Sequence, residues 1–446
     1  MKQVAIVLPG IMGSELRLNG ELIWPGPVAS LILPYNKMAE LKNPDLEATD
    51  IIRSFSFSEQ YKKLIDDLAL CGFREGDQTL FVFPYDWRKS IALAAQVLAN
   101  KVDAALSSHG GQAEISLIAH SMGGIVSRCY LESGDFNGRI GFAAVRRLIT
   151  LGTPHRGAPI ALTAPLGLEK RLFLSAEQVK DLVNDTRYPG LYELLPPRGE
   201  PFVWNSQSDM AFAQLDVYDN ALATALGLNA ASLSAAQQFH SKLDIKRRPE
   251  NVRYFFFTGS SQNTLSTVNL RPVAGSYRVE KVERDNGGDG TVPFWSGGIT
   301  GIQGQAVGGE HGTIYRDKDL RRTLAILLGK AGVLAAAPDH VQVTVRDKVC
   351  EPDTPLSITL AFSMPMRSVK GELRIERVTV DSAGKVSAAQ VVGDPMRVSF
   401  DGPELEQLAV QTLAPNVSGS YRVSYLAAGK PSTLGSDELF VQQPTR

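Results

Sequence analysis

Cysteine is scarce in this chain of 446 residues. There are three, Cys71, Cys129 and Cys350, and an odd number at such wide spacing does not make a disulfide framework. Cys129 also falls on the apolar side of a predicted helix, where a buried thiol is expected. The cysteine content therefore favours a reducing compartment, and we expect a cytoplasmic protein.

The chain also lacks an excess of charge of either sign and any long apolar run. Its 46 Lys and Arg residues nearly balance 47 Asp and Glu residues, which argues against a nucleic-acid partner. No run approaches the roughly 20 apolar residues that a membrane-spanning helix needs. Residues 3–8 already have the pattern of a buried strand, with no signal-peptide pattern before them. We expect neither secretion nor a transmembrane segment, although peripheral contact with a membrane stays open.

The pattern of the chain predicts two domains. Over residues 1–334, strand and helix patterns alternate, which favours an α/β fold with a mostly parallel sheet between helices. Residues 339–446 contain about seven short stretches that alternate with period two, with no helix between them, as is typical of an immunoglobulin-like β-sandwich. The Ala- and Pro-containing linker at 335–338 has no apolar face, so we predict that the domains are separable.

The stretch at 114–134 predicts a nucleophile. An apolar run of strand length is followed by apolar residues at helical spacing, and Ala-His-Ser-Met-Gly (119–123) lies between them. A serine flanked by small residues two positions away, at a strand-to-helix joint, is the pattern of the nucleophile elbow of α/β-hydrolases. We therefore predict that the turn projects Ser121 Oγ from the carboxyl end of the sheet and that His120 lines the substrate pocket.

A histidine and an acid are needed to activate such a serine. The base removes the hydroxyl proton, and the acid orients the base and stabilises its cation. In α/β-hydrolases the acid and then the histidine follow the serine, on loops after late strands. This order leaves His311, preceded by Asp289, and each comes directly after a predicted strand and beside glycines. Asp285 is the alternative acid.

A lid or cap is predicted at about residues 156–250, where no strand is evident. Apolar residues crowd one short part of it around Pro165 and Gly167, namely Leu166, Leu168, Leu172, Phe173 and Leu174. They cannot all face the core of one regular helix, so we predict that some cover the active site or contact lipid. The neighbouring Lys170 and Arg171 would add attraction to anionic headgroups. An ordinary helical subdomain is the alternative.

Six blocks of sequence, taken in order, resemble a known family. They are Leu-Pro-Gly-Ile-Met-Gly-Ser (8–14), Pro-Tyr-Asp-Trp-Arg (84–88), Ala-His-Ser-Met-Gly-Gly (119–124), Gly-Thr-Pro with Gly-Ala-Pro (152–159), Tyr-Glu-Leu-Leu-Pro-Pro (192–197) and Gly-Asp-Gly-Thr-Val-Pro (288–293). With them, residues 1–330 resemble the lecithin:cholesterol acyltransferase-like α/β-hydrolases, which include lysosomal phospholipase A2 and phospholipid:diacylglycerol acyltransferase. The resemblance does not cover the predicted sandwich.

The resemblance implies a catalytic triad of Ser121, Asp289 and His311, with the oxyanion held by the backbone N–H groups of Ile11 and Met122. It also implies a lid, here about residues 160–190, in which Leu166, Leu172 and Phe173 are candidate lipid contacts. Many secreted members of the family have a signal peptide and a disulfide near the lid, and this sequence has neither. We expect no metal and no cofactor.

The function predicted from these residues is serine-dependent hydrolysis of carboxylic esters of lipids, of the lipase or phospholipase type. The acyl group would be held on Ser121 and released to water or to an alcohol. The substrate would be a lipid or a membrane surface, and the sandwich would offer a site for a protein partner. The alternatives are a hydrolase of small esters and a non-catalytic module that docks through the sandwich.

Overall fold

The structure, a computed structural model, describes residues 1–26, 34–55, 58–207, 213–334, 341–380, 386–430 and 432–442. The linker predicted at 335–338 lies outside the described residues, so the domain boundary there stays a prediction. The strands before it are β1 (Lys2–Leu8), β2 (Ser14–Leu18), β3 (Glu21–Trp24), β4 (Glu47–Ile51), β5 (Ser54–Phe55), β6 (Ser58–Glu59), β7 (Leu80–Val82), β8 (Ala113–His120), β9 (Val145–Leu151), β10 (Val203–Asn205), β11 (Ala213–Gln214), β12 (Arg253–Gly259), β13 (Gln262–Val273), β14 (Ser276–Gly288) and β15 (Gln303–Val307).

The α-helices of this part lie between those strands or follow them. They are α1 (Met38–Leu41), α2 (Lys62–Leu70), α3 (Ile91–Ser107), α4 (Met122–Glu132), α5 (Ile160–Thr163), α6 (Ala176–Val183), α7 (Asn220–Ala225), α8 (Ala230–His240) and α9 (Lys318–Leu327). In the described ranges no helix is long and apolar enough to cross a membrane.

The central sheet has six strands in the order β15, β12, β9, β8, β1, β7, all parallel. Alternate residues of β1 belong to two hydrophobic clusters: Val4, Ile6 and Leu8 pack with α3 and α4, while Ala5 and Val7 pack with α2 and α9. Both faces of the sheet are therefore covered by helices, which explains the unbroken apolar run of β1. The predicted α/β class is confirmed.

The region between β9 and β12 is mainly helical but contains two short strands. β10 and β11 join the hairpin of β13 and β14 in a second sheet of four strands. The prediction that no strand occurs before residue 250 is wrong here, because two- and three-residue strands that pair with a distant hairpin carry no alternation of their own. The hairpin matters for the site, because β14 ends at Gly288, directly before Asp289.

The C-terminal part is all-β, as predicted. Its strands are β16 (Val341–Val345), β17 (Val349–Cys350), β18 (Pro355–Val380), β19 (Val386–Val391), β20 (Met396–Leu413), β21 (Gly419–Ala427) and β22 (Gly435–Val441). They form one sheet, in which β18 pairs first with β16 and later with β21. The pairing of β18 with β20 is irregular between Ala361 and Ser368. The sheet curls around its own apolar core, which includes Val343, Ile358 and Leu439.

The two parts share an apolar contact. Phe440 of β22 is buried in the main hydrophobic cluster of the α/β part, and its ring meets the edge of the Phe173 ring at a centroid distance of 5.8 Å. In the same part of the C-terminal sheet, the half-buried Lys348 ammonium lies 3.0 Å from Asp437 Oδ1 and 3.6 Å from Glu438 Oε1. The prediction of separable domains rested on the linker at 335–338, which lies outside the described residues, so it stays a prediction.

We expect Phe440→Ala to lower the free energy of unfolding by on the order of 3 kcal/mol, because it leaves a cavity at the contact. It should also speed proteolytic cleavage within residues 165–174, since Phe173 loses its partner. Phe362→Ala, in the core of the C-terminal sheet, is the matched control: it should destabilise the protein without speeding that cleavage. Urea unfolding and limited proteolysis measure both effects. Equal cleavage rates in the two variants would contradict the expectation.

Candidate active site

Ser121 occupies the sharp turn between β8 and α4. Its backbone has φ 53° and ψ −126°, a conformation that residues other than glycine rarely adopt. Two hydrogen bonds hold it there: the Ser121 N–H donates to Leu151 O at 2.9 Å, and the Thr153 hydroxyl donates to Ser121 O at 2.9 Å. The turn therefore depends on the end of β9 as well as on its own strand and helix.

The elbow requires small residues because neighbouring segments of the chain pack closely against it. A Cβ at Gly123 would lie 2.6 Å from Pro9 O, and a Cβ at Gly124 would lie 2.1 Å from Thr153 Oγ1. Ala119, at the other small position, is completely buried. These approaches bring the turn after β1 and the end of β9 against the elbow.

The structure brings together the three residues predicted as a triad. His311 Nε2 lies 2.9 Å from Ser121 Oγ, and His311 Nδ1 lies 2.8 Å from Asp289 Oδ2. The other carboxylate oxygen, Oδ1, accepts hydrogen bonds from Thr291 N at 3.0 Å and Val292 N at 2.7 Å. Since the carboxylate accepts from Nδ1, Nε2 is free to accept the serine proton.

Two glycines make room for the acid. A Cβ at Gly259 would lie 2.4 Å from Asp289 Cβ, and a Cβ at Gly152 would lie 2.8 Å from Asp289 Oδ2. Asp289 is completely buried at this point. The alternative acid, Asp285, is exposed within β14, so the geometry favours Asp289.

His120 is fixed by a network that includes Tyr61, which the sequence did not reveal. Tyr61 Oη accepts from Gly10 N at 2.8 Å and lies 2.7 Å from His120 Nδ1. His120 Nε2 lies 2.8 Å from His311 O. Nε2 therefore donates, and Nδ1 accepts the tyrosine proton. Burial, and then the nearby His311, lower the pKa of His120 to about 3, so the ring is neutral and links the turn after β1 to the His311 loop.

The predicted oxyanion donors lie on either side of Ser121. Residues 10–13 form a turn, in which Gly13 N donates to Gly10 O at 3.0 Å and Met12 has φ 62°. A Cβ at Gly10 would lie 2.7 Å from Ser121 Cβ, so the turn that contains Ile11 packs directly on the serine. Met122 is the first residue of α4, and an N–H at that position has no partner within its helix.

A cavity of about 250 Å³ opens onto Ser121 and His311. Its other walls are mainly apolar and include Ile11, Trp87, Ile160, Leu172, Leu174, Val179, Leu182, Leu191, Leu194 and Val292. A larger cavity of about 530 Å³ lies elsewhere, between Arg321 and the C-terminal sheet, and is lined mostly by charged and polar groups. The cavity at Ser121 is the one with walls suited to an acyl chain.

The three residues predicted as lid contacts have different surroundings. Leu172 lines the cavity and is 39 % exposed. Leu166 is half-buried against the main hydrophobic cluster, and Phe173 packs on Phe440. Neither of these two lines the cavity, so their role as lid contacts stays a prediction. Leu174, which is buried, does line the cavity.

Comparison with known proteins bears on this site. The family model described as lecithin:cholesterol acyltransferase matches residues 44–294, more than half of the chain. The chain belongs to the lecithin:cholesterol acyltransferase family. The matched range contains the predicted nucleophile and the predicted acid. This membership makes the protein, in broad terms, a lipid ester hydrolase or acyltransferase, as the sequence predicts.

Two relatives of this lecithin:cholesterol acyltransferase-like chain come from Arabidopsis thaliana. Lecithin-cholesterol acyltransferase-like 4 is 26 % identical over 395 residues, which cover 75 % of this chain and 70 % of that protein. Phospholipase A(1) LCAT3 is 26 % identical over 320 residues, which cover 60 % and 70 %. Among solved structures, a chitin binding domain from Burkholderia pseudomallei matches 22 % of this chain and 57 % of its own at 14 % identity and a TM-score of 0.17. That score is too low to support any conclusion.

The neutral state of His120 predicts a pH dependence of stability. Its pKa is about 3 in the folded protein against an ordinary 6.5, so below pH 6.5 the unfolded chain takes up a proton that the folded chain does not. The contribution of the neutral His120 ring to the free energy of unfolding is fully present above pH 6.5. It is lost as the pH falls towards 3, at up to about 1.4 kcal/mol per pH unit.

We therefore expect the free energy of unfolding to fall less steeply between pH 6.5 and pH 4.5 in His120→Gln than in the unmodified protein. Urea unfolding at several pH values measures the slope. An unchanged slope in His120→Gln would show that His120 is not held neutral.

Proposed function

We propose that the protein hydrolyses carboxylic esters of lipids through an acyl-enzyme on Ser121. The observation that carries the proposal is the hydrogen-bonded series from Ser121 Oγ through His311 to the Asp289 carboxylate, at 2.9 and 2.8 Å, beside an apolar cavity. Such a series activates a serine for acyl transfer.

In the first half-reaction, Ser121 Oγ attacks the ester carbonyl carbon while His311 Nε2 takes the hydroxyl proton. The negative charge that develops on the carbonyl oxygen would be stabilised by the N–H groups of Ile11 and Met122, each typically worth about 3 kcal/mol in such a site. The intermediate collapses when the bond to the leaving alcohol breaks and His311 donates its proton to that alcohol. The acyl group then remains on Ser121.

In the second half-reaction, a water molecule attacks the acyl-enzyme and His311 takes its proton. The tetrahedral intermediate releases the fatty acid, and the proton returns to Ser121 Oγ. Throughout, Asp289 keeps Nδ1 protonated and stabilises the imidazolium. An alcohol in place of water would give acyl transfer, and hydrolysis is the reaction that we propose.

A lipid substrate is supported by the apolar walls of the cavity and by the family. One relative is named a phospholipase A(1), which supports a phospholipid as the substrate. The cysteines in the described ranges are free thiols, which supports the cytoplasmic location that we propose. The apolar contact of Phe440 with the α/β part supports a role for the C-terminal sheet close to the site rather than as a separate docking module.

We expect Ser121→Ala and His311→Ala to lower kcat for a soluble short-chain ester by at least about 10³-fold, because each removes part of one proton-transfer unit. Asp289→Asn should have a similar effect, and Asp285→Asn, on the exposed face of β14, should stay within about three-fold. Release of nitrophenol from a nitrophenyl ester measures the rates, and a fluorophosphonate probe should label the unmodified protein but not Ser121→Ala. If Asp285→Asn lost activity and Asp289→Asn kept it, the acid of the triad would be Asp285 instead of Asp289.

We also expect the rate to rise when a lipid ester is presented in aggregates rather than as monomers. Leu172 is exposed and lines the cavity, so contact with lipid would remove apolar surface from water at the entrance. Leu172→Asp should abolish the rise. Leu168→Asp is the matched control for Leu172→Asp, because Leu168 is 42 % exposed on the same segment but does not line the cavity. Rates measured below and above the critical micelle concentration test this, and a rise that survives Leu172→Asp would defeat it.

A further inference from the structure

Arg171 lies on the segment between α5 and α6 and lines the cavity that contains Ser121. Its N–H donates to Leu174 O at 3.1 Å, and Leu174 N donates to Arg171 O at 2.9 Å, so the chain reverses tightly through Leu172. This reversal turns Arg171 and Leu174 towards the cavity. The adjacent Lys170 is different: its side chain is 72 % exposed and lies 3.5 Å from Glu351.

The guanidinium of Arg171 has no direct partner within the described part of the chain. No hydrogen bond from it and no ion pair within 4 Å connects it to any described residue. Among the described residues that line the cavity, it is also the only Lys or Arg. Arg171 is half-buried at a mainly apolar wall, where a cation without a paired anion is unfavourable, so its position needs an explanation other than packing.

The two carboxylates that act on the charge of Arg171, Glu169 and Glu310, form no ion pair with its guanidinium within 4 Å. Glu169 lies 3.1 Å from Lys281 Nζ and also accepts from the Thr163 hydroxyl. Glu310 is half-buried and lines the same cavity, its Oε2 has no hydrogen-bond partner among the described residues, and the Lys348 ammonium is the cation that most lowers its pKa. Burial lowers the pKa of Arg171, while Glu169 and Glu310 raise it, and a guanidinium remains protonated in proteins. The cavity therefore contains a positive charge that an anionic group of the ligand can pair with.

We propose that Arg171 binds the phosphate of a phospholipid substrate and so determines specificity for phospholipids over neutral acylglycerols. This rests on the proposed function at Ser121. A guanidinium offers parallel N–H donors that match two oxygens of a phosphodiester. In a glycerophospholipid the phosphate is only a few bonds from the acyl ester, so a cation in the same small cavity as the nucleophile is suitably placed. A diacylglycerol has no group to pair with it.

The test compares two substrates with the same acyl chains, phosphatidylcholine and diacylglycerol, at equal mole fraction in micelles of a non-ionic detergent. Phosphatidylcholine has no net charge, so its micelles do not attract the cationic side chains of the protein as an anionic surface would. We expect Arg171→Gln to lower the ratio of kcat/KM for phosphatidylcholine to that for diacylglycerol by roughly 10- to 100-fold. Arg171→Lys, which keeps the charge but loses the paired donors, should lower it less. Lys170→Gln should leave the ratio unchanged.

The possible outcomes separate this inference from the proposed function. An equal loss on both substrates, or no change in the ratio, would overturn the role of Arg171 while Ser121-dependent hydrolysis stands. The same holds if the unmodified protein hydrolyses diacylglycerol but not phosphatidylcholine. If Arg171→Gln instead relieved inhibition by added fatty acid with the ratio unchanged, the bound anion would be the product carboxylate. Failure of the unmodified protein to hydrolyse either lipid or to react with a fluorophosphonate would reject the proposed function itself.

Thermal unfolding and the rate on a soluble short-chain ester show whether Arg171→Gln is folded. If it is not, Arg171→Lys decides the question. An unchanged substrate ratio in a folded Arg171→Lys protein would then count against paired hydrogen bonds to phosphate.

Discussion

The strained backbone of Ser121 is the constraint on which the rest of the site depends. A non-glycine residue in such a conformation typically costs about 1–3 kcal/mol, and it persists only if its surroundings hold it. Here β8 leads into the turn and α4 leads out of it. Ser121 N donates a hydrogen bond to Leu151 O, and Ser121 O accepts one from the Thr153 hydroxyl, so the turn is fixed to the end of β9. The nucleophile is therefore positioned by the parallel sheet rather than by a flexible loop.

The same sheet explains why residues so distant in sequence meet. β8, β9 and β12 are adjacent and parallel, so their carboxyl ends share one edge. Gly152 follows β9, and Gly259 is the last residue of β12. Because glycine has no side chain, these two positions leave the space that Asp289 fills. His311 then closes the group, and its backbone carbonyl is held by His120. The geometry is thus defined by strand order and by close packing at five glycines, Gly10, Gly123, Gly124, Gly152 and Gly259.

Much of this arrangement could be predicted from the sequence, since it depends on local signals. The elbow pattern lies at the joint between an apolar run of strand length and a helical pattern, and the order of serine, acid and histidine singled out His311 and favoured Asp289. The unbroken apolar run of β1 indicated a sheet covered on both faces. The alternation beyond residue 341 indicated an all-β part.

The remainder depends on tertiary contacts that leave no local signal. Tyr61 begins a helix like many others, and only the fold brings its hydroxyl to Gly10 and His120. Leu172 and Phe173 are neighbours of similar hydropathy, yet the tight reversal at this point, with φ 48° at Leu172, puts one at the cavity and the other against Phe440. That partner is far away in sequence, so neither composition nor spacing indicates it.

The segment between α5 and α6 is fixed to the body of the protein at several points along its length. Pro165, Glu169 and Phe173 are buried, and the exposed residues occur only in the short intervals between them. A segment held in this way cannot swing aside as a rigid flap about a single hinge. The opening to Ser121 would have to widen by rearrangement of one turn of the chain at a time. The number of residues between neighbouring buried residues would therefore limit the width of the substrate that can enter.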